Sequence, residues 1–261
     1  MKKVLNILLL VLILSALTAL SIYYAYNHFH DRLNDVNLHI SRDADDGFID
    51  YDKTYNMILD ICDTANNTQI RMIDVDSVVN TLMKNPWITA VDASINLDEY
   101  LDVEVTECKP VARIYNKKGK SVYVDGNGDM YPSNNSYVPH LLVVSGIDFN
   151  ADNLGNVNDE TYASANLPLV FNLIKEVIDD DYARSRVRQI HYDKNKKYIF
   201  SLNNTNIIVI FGDVNNNKEK LLKMKNFFDA MQGNPELENY KEINLNYKNQ
   251  VVCTKTKNKK R

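Results

Sequence analysis

The chain has 261 residues, 45% hydrophobic and 25% charged, ordinary proportions for a folded protein, which exclude a disordered tether. Its formal charge of −4 conceals an acidic body: setting aside Lys2, Lys3, Lys255, Lys257, Lys259, Lys260 and Arg261 from the 30 basic residues leaves 23 against 34 acids, about −11. That balance argues against nucleic acid as a partner, and three cysteines without a Cys-x-x-Cys spacing exclude a disulfide-defined fold.

The first predicted element is an apolar run from Val4 to Tyr26, which as a helix reaches roughly 35 Å and so crosses a bilayer core of about 30 Å with some tilt. Lys2 and Lys3 precede it and the first acid, Asp31, follows it, so residues 1–3 are expected in the cytoplasm and the rest outside it. Tyr23, Tyr24 and Tyr26 fall where an aromatic belt meets the outer interface. The small residues Ser15 to Ala19 raise the alternative of a cleaved signal peptide. The run outlasts a 7–15-residue signal core and lacks an Ala-x-Ala site, which favours an uncleaved anchor.

The remaining residues, about 235, suit two small domains. After a polar stalk over residues 27–35, Val36, Leu38 and Ile40 alternate as a first strand. Tyr55, Ile58, Leu59 and Cys62 fall at helical spacing and predict a helix over 52–62. A second helix is well punctuated: Asp74 caps it, Val75, Val78, Val79 and Leu82 form its stripe, Lys84 suits the last turn, and Asn85-Pro86 stops it. Trp87 reads as a core anchor beneath the helix pair. Val91, Ala93, Ile95 and Leu97 then alternate with polar residues, as do Leu101, Val103 and Val105, giving a hairpin with one apolar and one acidic face. The unit, from residue 36 to 108, has the order β-α-α-β-β.

The next domain, 109–254, is strand-rich. Strands are predicted at 111–115 and 121–125 around a Lys117-Lys118-Gly119 turn, with a second tight turn at Asp125 to Gly128 and a strand at 141–145. The stretch from Ile147 to Asn166 is poor in apolar residues and reads as a flexible loop or insertion site. A helix over 167–178, strands at 187–192, 198–202 and 207–211, and a helix over 217–231 burying Leu221, Met224 and Phe228 follow. Strands at 241–247 and 250–255 close the domain, and the basic tail 255–261 reads as solvated.

Chemistry is sparse. Asp125 to Asp129 matches the opening of a calcium loop, but Met130 stands where an EF-hand needs glycine and Ser136 where it needs glutamate, so a hairpin turn is expected. His28 and His30 have no third ligand nearby, and no nucleophile, zinc or phosphate-loop motif occurs. No catalytic residue, metal or cofactor is expected. A membrane-anchored hydrolase with a cleft between the domains and a secreted binding or chaperone module are the alternatives. The remaining function is binding: an edge strand exposes unpaired backbone groups, and the closing segment from Ile243 to Val252 is the candidate.

In their order, these elements resemble the FtsQ/DivIB cell-division family. The β-α-α-β-β unit, with Ile73-Asp74-Val75 before its second helix and Asn85-Pro86-Trp87-Ile88 after it, is similar to that family's POTRA domain. Glu107 with Pro110-Val111-Ala112, then Tyr123-Val124-Asp125 with Gly128, resemble the passage into its β-rich domain. Ile243-Asn244-Leu245-Asn246-Tyr247 resembles its penultimate strand, with Asn244 and Asn246 where the family has an acid and a base. The resemblance implies an α+β protein made of a transmembrane helix, a POTRA-like domain and a larger β-rich domain with two helices. It further implies a non-enzymatic scaffold at the division septum that binds FtsB and FtsL and helps regulate peptidoglycan synthesis by FtsW and FtsI. By position, the partner strand would meet Ile243, Leu245, Tyr247, Asn249, Val251 and Cys253, beside Leu221, Lys225 and Phe228 of the last helix.

Overall fold

A computed structural model describes residues 2–28, 32–42, 46–62, 69–134 and 136–256, and the chain divides into two compact units, 1–108 and 109–261. The pairing of His28 with His30 and the basic tail from Lys257 onward lie outside the described side chains. The first helix, α1 (Lys2–His28), is apolar around its whole circumference and long enough to cross a membrane over Asn6–Tyr26. Its hydroxyls suit that setting, because Ser15, Thr18 and Ser21 each donate to a carbonyl one turn back, at 2.9, 2.9 and 2.7 Å.

In the first unit, β1 (Asp35–Ser41), α2 (Tyr51–Ile61), α3 (Val75–Leu82), β2 (Ile88–Ile95) and β3 (Tyr100–Glu107) form a three-stranded sheet of order β1-β3-β2 with two helices. β3 runs parallel to β1 and antiparallel to β2. Val36, Leu101, Val103 and Val105 are buried with Ile58 of α2 and Val78 and Leu82 of α3, so the periodicity of two in the strands meets that of 3.6 in the helices. Asp74 caps α3 by accepting from the Ser77 N–H at 3.1 Å.

Two local expectations need correction. α3 stops at Leu82 and the following N–H groups tighten, Lys84 donating to Thr81 O at 3.2 Å, so Lys84 lies past the last turn. Leu97 is 79% exposed, because β2 ends at Ile95 and the Asn96 side chain closes the turn by accepting from the N–H groups of Asp98 and Tyr100. Trp87 is buried, as a core anchor should be, and stacks on Phe48 of the loop before α2, with centroids 3.8 Å apart and planes 5° from parallel. That loop is fastened by buried Glu107, whose two carboxylate oxygens accept from Phe48 N at 3.1 Å and Ile49 N at 2.9 Å.

The second unit is one nine-stranded mixed sheet with its helices packed on one face. Its strands are β4 (Pro110–Asn116), β5 (Ser121–Asp125), β6 (Met130–Pro132), β7 (Leu142–Ile147), β8 (Val187–Tyr192), β9 (Tyr198–Leu202), β10 (Ile208–Gly212), β11 (Tyr240–Asn244) and β12 (Val252–Lys255). Across the sheet the order is β12-β11-β10-β9-β8-β7-β4-β5-β6. One continuous row of paired residues, Val122, Ile114, Val144, Ile190, Phe200, Val209, Ile243 and Cys253, crosses eight of those strands. All of it but Cys253 is wholly buried under α5 (Leu167–Asp179) and α7 (Asn217–Ala230). The adjacent row, including Arg113, Val143, Gln189, Ser201 and Glu242, points to the opposite face.

Two features of this unit escape the sequence reading. The stretch from Ile147 to Asn166 is packed rather than loose: Phe149, Val157 and Tyr162 are buried, a short helix α4 (Glu160–Ala163) forms, and Asn156 Nδ2 bonds Asp129 at 2.8 Å. Those three anchors, with Ile147 at the start of the stretch, suffice without a periodic stripe. A further helix, α6 (Asp181–Arg186), is capped by Asp180 but too short for periodicity to show.

Candidate functional site

The two edges of the large sheet differ. β6 is three residues long and ends in Pro132, which has no N–H to offer. Among the described residues β12 pairs with β11 alone, in the register Asn244 with Val252, Ile243 with Cys253 and Glu242 with Thr254. Leu245 N donates to Ile210 O at 3.0 Å, so Ile243 and Leu245 direct their backbone groups to β10, while Glu242 and Asn244 direct theirs to β12. By the same alternation Val252 and Thr254 bond inward, and the N–H and C=O groups of Cys253 and Lys255 lie along the open side.

This arrangement sorts the residues read from sequence. Ile243, in an interior strand paired on both sides, and Leu245, just past its end and bonded to Ile210 O, are wholly buried and line no edge. β11 stops at Asn244 and β12 starts at Val252, which leaves Tyr247, Asn249 and Val251 in the connection, not in a strand. Tyr247 is exposed, Asn249 is exposed with φ +57°, and Val251 is half-buried against the core. Leu221 and Phe228 face the core, while Lys225 is exposed. Of the nine positions, Cys253 stands on the edge itself and Tyr247, Asn249 and Val251 lie in the connection that leads into it. Burial pushes the Cys253 thiol up, so it is a neutral packing group at pH 7.

Residues outside that set complete the surface. Leu222, 55% exposed, and Phe227 project from α7 toward Asn249, Gln250 and Val251, and a groove of about 450 Å³ lies between them. An exposed leucine one position after the buried Leu221 was the signal in the sequence, out of phase with the core stripe. Lys223 Nζ donates to Leu245 O at 3.2 Å and Tyr247 O at 3.1 Å. At the far end of β12, Lys255 pairs with Glu236 at 2.6 Å; the ammonium holds the Glu236 carboxyl below its usual range and the carboxylate raises the Lys255 ammonium.

The chemistry elsewhere is structural. Both oxygens of Asp125 are spent within its own turn, on Asn127 N at 2.9 Å, Asp129 N at 3.0 Å and the Tyr131 hydroxyl at 3.1 Å. Among the described residues no three His, Cys, Asp or Glu side chains converge. Ser145 Oγ lies 3.0 Å from His191 Nδ1 and accepts from Gln189 Nε2 at 3.0 Å; among the described residues no carboxylate bonds that imidazole, so the pair lacks the orienting group of a nucleophile–base system.

Comparison with known proteins gives two findings. A family model described as FtsQ/DivIB, C-terminal related, matches residues 109–254, which is the sheet just described from β4 to the last residues of β12. The cell division protein FtsQ of Geotalea daltonii is 24% identical over 200 residues, covering 76% of this chain and 70% of that protein.

Proposed function

The chain belongs to the FtsQ/DivIB family of cell-division proteins, and from that premise we propose that it is a single-pass membrane scaffold whose open β12 edge takes up a strand from an FtsB-type partner. The observation that carries this reading is the asymmetry of the sheet: one end is blunted by Pro132, and the other offers the outward backbone groups of Cys253 and Lys255 beside a groove on α7. Backbone pairing supplies affinity in strand addition, and pockets for alternate side chains supply selectivity. The groove between Leu222, Phe227 and Val251 is placed to receive a side chain of the incoming strand. An FtsL-type protein joins through the same partner, and the assembly bears on an FtsW/FtsI-type synthase. The first unit, with its β-α-α-β-β order, serves as the POTRA-like recruitment domain.

Orientation follows from Lys2 and Lys3 ahead of an apolar span whose first following acid is Asp31: residues 1–3 lie in the cytoplasm and the chain after the span outside it, at the division septum. The decisive experiment is capture of co-expressed FtsB- and FtsL-type proteins by the full chain and by Cys253→Pro. Proline there removes an outward donor and spares every inward bond of the ladder. The variant is expected to lose the partners with an unchanged circular dichroism spectrum. Equal capture by both proteins refutes the edge as the site.

A further inference from the structure

Resting on the reading of β12 as the partner-binding edge, we propose that Lys223 is the positioning residue of that edge: its ammonium ties the carbonyls of Leu245 and Tyr247 to α7 and so sets where β12 presents its outer backbone groups. β12 has four residues and one neighbouring strand, so its own ladder does little to fix its angle. What leads into it is a connection, 245–251, whose residues 246–250 are exposed and which turns through Asn249 in the left-handed region.

The start of that connection is held from two sides. From the sheet, Leu245 N bonds Ile210 O, and the Asn246 side chain fills the space over Gly212 that a Cβ would take, at a residue whose φ of +86° also calls for glycine. From the helix, Lys223 reaches Leu245 O and Tyr247 O, the carbonyls on either side of Asn246, and Glu219 Oε1 lies 3.5 Å from the same ammonium. Two carbonyl acceptors and one nearby carboxylate thus surround the ammonium, and the side chain is 18% exposed, so water competes weakly for it. Lys223 sits on the helix flank between the buried Leu221 and Met224 and the exposed Leu222 that lines the groove. The tie therefore couples the groove wall and the edge strand into one surface, and a strand that docks on a pre-set edge loses less in ordering it.

The test uses the full chain in detergent micelles, as wild type, Lys223→Met and Lys223→Arg, with two readouts: amide hydrogen exchange and capture of co-expressed FtsB- and FtsL-type proteins. Methionine keeps the stem and removes the donors; arginine restores donors to both carbonyls. Lys223→Met is expected to exchange roughly tenfold faster over 245–255, with β8 to β10 unchanged, and to bind the partners about tenfold more weakly, the scale of two lost hydrogen bonds. Lys223→Arg is expected within about threefold of wild type in both. Exchange at the wild-type rate in Lys223→Met, or an arginine variant that behaves like the methionine one, overturns the proposal. Wild-type protein that captures neither partner, while exchange still responds to Lys223→Met, refutes the edge reading instead and reduces Lys223 to a structural tie.

Discussion

Glu107 spends a buried carboxylate on two backbone N–H groups of the loop before α2, and Gly47 lies so close that a Cβ would collide with that carboxylate. Glu107→Ala leaves both donors unmatched and is expected to cost about 2–3 kcal/mol, read as a lower denaturant midpoint; Gly47→Ala should lower the midpoint through the same contact. Tyr198 is a second buried titratable group: burial pushes its phenol up to about 12 from 10.0. The folded protein then keeps a proton that the unfolded chain gives up, so stability holds below pH 10 and falls between pH 10 and 12 by up to about 1.4 kcal/mol per pH unit. In Tyr198→Phe that alkaline decline should flatten in pH-dependent unfolding. Asp213 works at the other limit. The buried Lys220 ammonium, 2.5 Å away, holds its carboxyl below 3.8, so its contribution is full above about pH 4 and lost as pH falls through the lower folded value. Asp213 is well exposed, so the contribution is small, and Asp213→Asn should shorten the acid limb only slightly.

Among the elements, α3 begins where neighbouring residues alone dictate. Its cap bond runs from Ser77 N to Asp74 over three residues, and Asp74→Ala should cost about 1 kcal/mol in the unfolding of the first unit. The closing strands behave differently. Alternation of Ile243 and Leu245 correctly marks one face as buried, yet nothing in a period of two tells an interior strand from an edge. That distinction rests on β10 pairing parallel with β11 across some thirty residues of intervening chain. A candidate site carried over by position from the family resemblance therefore puts Ile243 and Leu245 at a surface they do not reach, and extends strand pairing through Tyr247 and Asn249, where the backbone turns. Leu97 missed for a related reason: the pattern continues past Ile95, but the Asn96 turn takes the chain off the sheet.

For the whole molecule, one apolar helix and two compact units, each with its own buried residues, account for the described chain. Removing residues 1–31 is expected to move the protein from the carbonate-resistant membrane fraction to the soluble one with both units folded, as circular dichroism would show; retention in the membrane would mean a second attachment. The anchor, the β-α-α-β-β order and most strands of the second unit were legible in the sequence because each is set by contacts within one element: hydropathy over a span, caps within a turn, alternation within a strand. The packed stretch from Ile147 to Asn166, the order of nine strands, the identity of the open edge and the tie from Lys223 to Leu245 and Tyr247 were decided by tertiary structure alone. Those features depend on which distant segments meet, and side-chain periodicity carries no information about a neighbour that lies tens of residues away.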